Sequence, residues 1–207
     1  MGTLKVDNIQ TESGSAIITN GAIPESTLRS SNVGMVLLNK TVCSGATEVV
    51  YNSTTLQSST YENYKLIINN LVPATDSAYL RFRTSSDNGS SLHTGTWSSG
   101  AHWSSINSTS TGGASLHNNV DYGSFYQHFQ NTASRSASIE LTMNNLPSST
   151  GGHYWFAQTA NSKGGNGGHF INNDGFRSFT TVSINYIKFY FSSGNISTGT
   201  FRLYGLV

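Results

Sequence analysis

An alternating pattern at the end of the chain, residues 181–207, constrains the fold more than any other stretch does. Ile187, Phe189 and Phe191 alternate with Lys or Tyr, the period of two that a strand with one buried face requires. A turn of Ser, Gly and Asn follows, and a second alternating run begins at Phe201. We predict two strands joined by a polar turn. Because the sequence ends directly after the second strand, we expect this hairpin to be tied into the centre of the core.

Similar short runs recur upstream and indicate one fold class. They are separated by turn residues, and residues 35–207 contain no apolar stripe of helical period. We expect at most one helical turn, at Thr132–Ser138. We therefore predict an all-β domain, an antiparallel, jelly-roll-like β-sandwich. The upstream strands are predicted at Met35–Val42, Glu48–Tyr51, Tyr64–Asn69 and Ala78–Thr84.

Two stretches of the sequence, residues 64–86 and 139–162, resemble each other. Each contains an alternating strand, then Asn-Asn-Leu and a Pro, then a Ser/Thr turn and an aromatic strand. Strands and turns draw on few residue types, so the similarity has two interpretations. It is coincidental, or the two stretches form hairpins at equivalent places in two facing sheets.

Residues 87–137 are the least regular part of the sequence, with aromatic residues and His among Ser, Gly and Asn. We predict strands near Trp97–Ser104 and Tyr122–Phe129 within this segment. A long irregular segment in a compact domain is usually either functional or disordered. A second irregular stretch, Asn161–Gly175, is predicted as a glycine-rich loop, because its few side chains offer little to pack.

Residues 1–34 differ from the rest because they hold only short apolar patches between turn residues. Neither patch is long enough to form a core by itself. We predict an extended N-terminal arm that lies against the domain, sister subunits or another protein, and we favour the last two. The arm thus covers residues 1–34, for attachment or oligomerisation, and the β-sandwich domain covers residues 35–207. The predicted attachment residues are Leu4, Val6, Ile9, Ile17 and Ile18.

The charge content excludes several classes of partner. Charged residues make up only 10% of the sequence, against about 25% in typical soluble proteins, and the net charge is +1. Lys and Arg form no cluster along the sequence, so we expect no nucleic-acid partner. No apolar run approaches the roughly 18 residues of a membrane span, and the N-terminus lacks a secretory signal core. We expect synthesis in the cytoplasm, no membrane insertion, and a small buried hydrophobic role for the single Cys43.

Motifs for catalysis and metal binding are missing from the sequence. The six His show none of the HxH or HExxH spacings of metal sites, although a metal shared between subunits on a symmetry axis stays open. No GxSxG nucleophile motif occurs, and the glycine run at 164–168 lacks the GK[ST] ending of a phosphate loop. Several of the ten acidic residues stand in the arm or in turns, which disfavours a site of paired carboxylates. We therefore predict a non-enzymatic protein with no metal site and no cofactor.

Segment 87–137 instead combines residues suited to binding sugars. Trp and Tyr rings stack on the C–H surfaces of sugars, while Asn, Asp and His hydrogen-bond to the hydroxyl groups. The alternative for each Trp is burial in the core or in a subunit interface. Because a single sugar site is weak, we expect several copies to act together. The predicted glycan-binding residues are Trp97, His102, Trp103, Tyr122 and Tyr126.

Three stretches of the sequence resemble a known family. The opening TLKVDNIQTESGSAIIT resembles the leader of structural proteins in tailed bacteriophages, notably phages of marine bacteria and cyanobacteria. The segments YKLIINNLVPATDSAYLRFRTSSDNGSS and NISTGTFRLYGLV resemble the β-sandwich at the ends of such phage fibres. The resemblance covers most of the chain, with the leader at 1–34 and the sandwich at 35–207.

This resemblance implies a virion structural protein made in the host cytoplasm, a tail fibre or tail appendage that is usually a homotrimer. Its N-terminal arm is expected to dock on a tail or capsid component of the particle, and its sandwich to be exposed. From the residues of segment 87–137, we expect the sandwich to serve adhesion to host-surface glycans. Proteins of this family normally have a longer shaft between the two parts. The short connection here leaves a second interpretation, a capsid fibre or decoration protein with a purely structural, stabilising role.

Overall fold

The computed structural model describes residues 8–10, 16–19, 34–105, 111–163 and 168–207. These residues fall into two units, which are described separately below. The first unit comprises the residues up to Val36 together with Val207, and the second comprises Leu37–Leu206.

In the first unit, two short strands pair with each other. They are β1 (Asn8–Gln10) and β2 (Ala16–Thr19), which run antiparallel with Ile9 facing Ile18 in the register. Three of the predicted attachment residues, Ile9, Ile17 and Ile18, lie on these strands, whereas Leu4 and Val6 lie outside the described residues. The role of these five residues in attachment stays a prediction.

The remaining strands form the body of the protein. Short helical turns lie at α1 (Ser53–Leu56), which was not predicted, and at a 3-10 turn (Ala133–Arg135), which lies inside the stretch predicted to be a helical turn at most. The strands are β3 (Met35–Ala46), β4 (Val49–Tyr51), β5 (Asn63–Pro73), β6 (Ala78–Ser85), β7 (Trp97–Ser105), β8 (Thr111–Val120), β9 (Gly123–Phe129), β10 (Ala137–Met143), β11 (His153–Lys163), β12 (Gly168–Ser178), β13 (Tyr186–Phe191) and β14 (Ile196–Leu206).

These strands build two sheets that face each other. One sheet has eight strands in the order β3-β14-β5-β10-β11-β12-β7-β8, and the other has four in the order β4-β13-β6-β9. Phe82 of β6 lies 4.9 Å from Trp155 of β11 between ring centroids, and Phe189 of β13 lies 6.4 Å from Phe201 of β14. All four rings are buried between the sheets. The prediction of an all-β antiparallel sandwich is therefore confirmed.

The last two strands of the chain belong to different sheets. β13 pairs with β4 and β6, whereas β14 lies between β3 and β5 in the larger sheet. The linking turn crosses between the layers: the Ser192 N–H donates to Tyr79 O, and the Asn195 carbonyl accepts from Ala74 N–H. The predicted hairpin is therefore wrong, although both of its strands contribute buried residues to the core, as expected. Both strands alternate because both turn one face toward the same core.

The similar stretches at 64–86 and 139–162 do not occupy equivalent places in facing sheets, so that interpretation is wrong. Their first strands, β5 and β10, are antiparallel neighbours in the eight-stranded sheet; the second strand, β6, lies in the other sheet, while β11 stays in the same one. The likeness is local. Asn70 and Asn145 both have a left-handed backbone, with φ of 54° and 60°, and each is followed by a buried Leu.

The irregular segments are more regular than the sequence indicated. The predicted strands near Trp97–Ser104 and Tyr122–Phe129 are confirmed as β7 and β9, but β8 between them was not predicted. The loop predicted at Asn161–Gly175 is wrong at both ends, because β11 and β12 extend into it and pair along their length. Cross-strand hydrogen bonds compensate there for the missing side chains. Cys43 is buried, as predicted.

Candidate functional site

The outer face of the eight-stranded sheet carries two strongly exposed aromatic side chains. Tyr154 and Phe156 of β11 are each 58% exposed. Successive side chains of a strand point to opposite faces of the sheet. Because Trp155 and Ala157 fill the core, their neighbours Tyr154 and Phe156 face outward.

Two glycines beside Phe156 leave the sheet backbone uncovered. Phe156 is paired with Gly175 of β12, which is in turn paired with Gly100 of β7. A Cβ atom at Gly175 would lie 3.9 Å from the Gly100 carbonyl oxygen, an ordinary contact, so packing does not require a glycine there. The glycines instead open a groove of about 370 Å³. The groove is lined by Ser98, Ser99, Gly100, Tyr154, Trp155, Gly175, Phe176 and Arg177.

Arg177 borders this groove and is held by aromatic rings. Its guanidinium carbon lies 4.2 Å from the ring centroid of Phe179 and 5.6 Å from that of Tyr154. A cation over a ring face is attracted by about 0.5–1 kcal/mol at exposed sites. The contact therefore keeps a fork of N–H donors at the edge of the groove.

A polar row runs across the same face, next to the groove. Gln158 of β11, Asn173 of β12 and His102 of β7 are cross-strand neighbours. The Gln158 amide donates to Asn173 Oδ1 at 3.5 Å. Amide and imidazole groups can both donate and accept hydrogen bonds. His102 is thus the one predicted glycan-binding residue that lies beside this groove.

Trp97 contradicts the prediction that it binds a ligand. Its side chain is fully buried, and its ring packs against Phe82 and Trp155 with centroid distances of 4.7 Å to each. Its indole N–H donates to Thr84 Oγ1 at 3.1 Å, so its one polar group is satisfied inside the protein. Trp97 is a core residue, the alternative that the sequence left open.

Trp103 and Tyr126 lie away from the groove. Trp103 shares the side of β7 that carries Trp97, and it is half-buried with its ring against Gly112, where a Cβ atom would lie 2.8 Å from the indole. Tyr126 lies on β9, in the other sheet, and its backbone N–H donates to Asp174 Oδ1 at 2.8 Å.

Tyr122 lies at a third place, beside the outer face of the four-stranded sheet. The guanidinium carbon of Arg81 lies 4.1 Å from the Tyr122 ring centroid. The structure therefore does not bring the five predicted residues into one site. These residues are neighbours along the sequence, but β7 and β9 belong to different sheets.

Asp174 stands next to Gly175 in β12 but faces the interior. It is 2% exposed, and it accepts hydrogen bonds from the Tyr126 N–H and from the Thr159 hydroxyl at 3.5 Å. Burial raises the pKa of the Asp174 carboxyl to about 7, against the opposing effect of those two hydrogen bonds. Because Asp174 faces away from the groove, we expect its titration to affect the stability of the protein rather than the groove.

Sequence reasoning missed Tyr154 and Phe156 because the run HYWFAQ has aromatic residues at both odd and even positions. Alternation alone does not say which set faces the core. A signal was available nonetheless. Since only one face of each sheet is buried in a two-layer sandwich, a strand with large rings at both parities must expose some of them.

Comparison of the chain with protein-family models, with curated proteins and with solved structures found no match. Among the residues that the structure describes, no three His, Cys, Asp or Glu side chains lie close enough together to hold a metal ion. Within the same ranges, no helix is both long and apolar enough to cross a membrane.

Proposed function

We propose that the protein is a non-enzymatic structural protein of a tailed-phage virion, a tail fibre or tail appendage, whose body binds host-surface glycans through the outer face of the eight-stranded sheet. Residues 1–34 attach it to the particle, and it acts as a homotrimer. The sequence resemblance at both ends of the chain supports the virion assignment. The groove and its aromatic border support the glycan assignment.

The observation that carries the binding proposal is the exposed pair Tyr154 and Phe156 beside a glycine-floored groove. Exposed apolar patches rimmed by polar groups mark binding surfaces. Ring faces complement the C–H surfaces of a sugar, while Arg177 and the row containing His102 supply partners for its hydroxyl groups. This arrangement suits a neutral saccharide lying flat on the sheet.

The first experiment removes the rings. The double variant Tyr154→Ala/Phe156→Ala is expected to lose at least tenfold in binding to an array of neutral oligosaccharides, because each ring supplies a stacking surface. The matched control is Leu37→Ala/Val42→Ala, which truncates two exposed apolar side chains on edge strand β3 of the same sheet and is expected to bind as the parent does. Unchanged binding by the folded double variant at positions 154 and 156 would remove this face from the site.

The second experiment fills the groove. Gly175→Ala and Gly175→Val add one and three carbon atoms where the backbone tolerates a Cβ atom. Both variants are expected to keep the parent's circular dichroism spectrum, and binding is expected to weaken progressively from Ala to Val. Full binding by a folded Gly175→Val protein is the contrary result.

Attachment and valency need their own measurement. Deleting residues 1–34 is expected to leave a folded body that no longer joins particles. Linked copies of a weak site gain about 10²–10⁴ in avidity, so the assembled trimer is expected to bind cells far better than the deleted form. Incorporation of the deleted form into particles would contradict the role of residues 1–34. A full-length protein that joins particles but binds no saccharide would favour the capsid-decoration interpretation instead.

A further inference from the structure

The outer face of the four-stranded sheet collects three cations from two strands that are distant in the sequence. Arg81 and Arg83 alternate on β6 with the buried Phe82, so both point outward. The register of β6 and β13 places Lys188 next to Arg83 and Tyr190 next to Arg81. Counting charges along the sequence could not detect this cluster, because Lys188 comes from a strand about a hundred residues later.

Two of the three cations have a carboxylate partner. Arg83 Nη2 lies 3.6 Å from Asp121 Oδ2, and Lys188 Nζ lies 2.9 Å from Glu48 Oε2. Arg81 has no carboxylate partner among the described residues, and its buried Nε–H has no hydrogen-bond acceptor. The cluster therefore carries one uncompensated positive charge, and it lies on Arg81. A buried N–H without an acceptor calls for an unseen partner, such as water or an ion.

Aromatic rings hold Arg81 in place. Its guanidinium carbon lies 4.1 Å from the centroid of Tyr122, and the His117 ring packs edge-on against Tyr122 at 5.3 Å. Burial lowers the pKa of His117, and the Arg81 charge lowers it further. Burial raises the pKa of Tyr190, and the Arg81 charge is the largest effect opposing it. The charge of Arg81 thus acts on both His117 and Tyr190.

The geometry points to an anion-binding site at Arg81, framed by Tyr122, Tyr190 and His117, for the carboxylate or sulfate group of an acidic sugar. A guanidinium stacked on a ring is pre-organised, and its planar fork matches the two oxygens of such a group. Arg83 and Lys188 add a positive field at the same face. The site lies on the opposite sheet from the groove, so the anion site itself does not depend on the proposed function. Only the inference that a sugar carries the anionic group rests on that function.

The test is a nuclear magnetic resonance titration of the full-length protein with glucose and two acidic derivatives of it. Glucuronic acid carries a carboxylate, glucose 6-sulfate carries a sulfate, and glucose carries neither. At least one of the two acidic sugars is expected to cause saturable amide shifts in β6 and β13, whereas glucose causes none there. Inorganic sulfate is expected to compete, and binding is expected to weaken as the salt concentration rises.

Variants of Arg81 locate the interaction. Arg81→Gln is expected to weaken binding of the acidic sugar at least tenfold. Arg81→Lys keeps the charge but loses the planar fork of donors, so its affinity should lie between that of the parent and that of Arg81→Gln. The matched control is Arg202→Gln, which removes an arginine on the eight-stranded sheet whose Nη1 donates to Asn69 Oδ1. That variant is expected to bind as the parent does.

Three results would overturn the site: equal shifts with glucose, shifts confined to other strands, or parental affinity in Arg81→Gln. If Arg81→Gln does not fold, the affinity of Arg81→Lys decides, and a value equal to the parent's counts against the site. The variant Tyr154→Ala/Phe156→Ala is expected to keep full affinity for the acidic sugar. Failure of the groove and failure of the Arg81 site are therefore distinguishable.

Discussion

The two outer faces of the sandwich treat their aromatic rings differently. On the four-stranded sheet, the guanidinium carbon of Arg81 lies 4.1 Å from the Tyr122 ring centroid, so this ring is paired with a positive charge. On the eight-stranded sheet, Tyr154 and Phe156 are mostly uncovered, and Arg177 stands 5.6 Å from Tyr154 at the edge. A ring under a cation positions that cation, whereas a bare ring is itself the contact surface. The faces therefore suit different ligand groups, an anion on one and an uncharged saccharide surface on the other.

The largest expected effect tests whether the exposed ring of Phe156 contributes to stability as the buried ring of Trp155 does. Trp155→Ala and Phe156→Ala change adjacent residues of β11, one buried in the core and one exposed. Trp155→Ala is expected to lower the free energy of unfolding by about 3–5 kcal/mol, because it leaves a large cavity. Phe156→Ala is expected to change the same quantity by no more than about 0.5 kcal/mol. Urea unfolding of both variants gives the values.

A comparable loss of unfolding free energy in Trp155→Ala and Phe156→Ala would contradict the contrast between buried and exposed rings. Phe156 would then be a structural residue, and its exposure would not indicate a binding role. Urea unfolding of the double variant Tyr154→Ala/Phe156→Ala is expected to give nearly the parent's free energy of unfolding, which shows that its loss of binding does not come from unfolding.

A smaller effect concerns Asp174, which is buried between the two sheets, and the pH dependence of stability that its carboxyl causes. Since burial raises the pKa of this carboxyl to about 7, the native protein keeps a proton that the unfolded chain releases near pH 4. The contribution to stability is thus full below pH 4, falls between about pH 4 and 7, and is lost above. Asp174→Asn cannot ionise, and its amide oxygen can still accept from Tyr126 N–H. It is expected to raise the free energy of unfolding at pH 8 by up to roughly 4 kcal/mol and to change little at pH 4.

His117 of β8, whose ring packs against Tyr122, contributes the opposite slope. The pKa of His117 is lowered by burial and by Arg81, so the native protein resists a proton that the unfolded chain accepts below about pH 6.5. This term makes stability rise with pH, whereas the Asp174 term makes it fall. Burial also lowers the pKa of His93, which adds a slope of the same sign. Unfolding measured from pH 4 to 8 in Asp174→Asn should therefore show stability that only rises with pH. A curve that still falls toward pH 8 contradicts the assignment to Asp174.

The sequence allowed the inner faces to be predicted better than the outer ones. Leu80 and Phe82 alternate with charged neighbours, so their direction could be read directly, and both are buried. The crossing of the chain at residues 192–195 could not be read, because a polar turn of this length serves a hairpin and a change of sheet alike. Arg81 and Lys188 meet only through the register of β6 and β13, a long-range pairing that no local pattern encodes.

The smallest expected effect compares one exposed ion pair on each face. Lys65 Nζ lies 2.7 Å from Glu140 Oε2 on the eight-stranded sheet, and Lys188 pairs with Glu48 on the other. Double-mutant cycles, with Met replacing Lys and Gln replacing Glu, are expected to give less than about 1 kcal/mol for either pair, because solvent screens partly exposed charges. On stability alone, the two pairs should be indistinguishable.

Their effects on ligand binding should differ. Glu48→Gln removes the partner of Lys188 and leaves its charge free to act on an anion at Arg81, so binding of an acidic sugar is expected to strengthen about twofold at low salt. Glu140→Gln makes the same chemical change on the other sheet and is expected to leave that affinity unchanged. An equal gain from both variants would show that only the net charge of the protein matters. The distinction between the two faces depends on the gain being confined to Glu48.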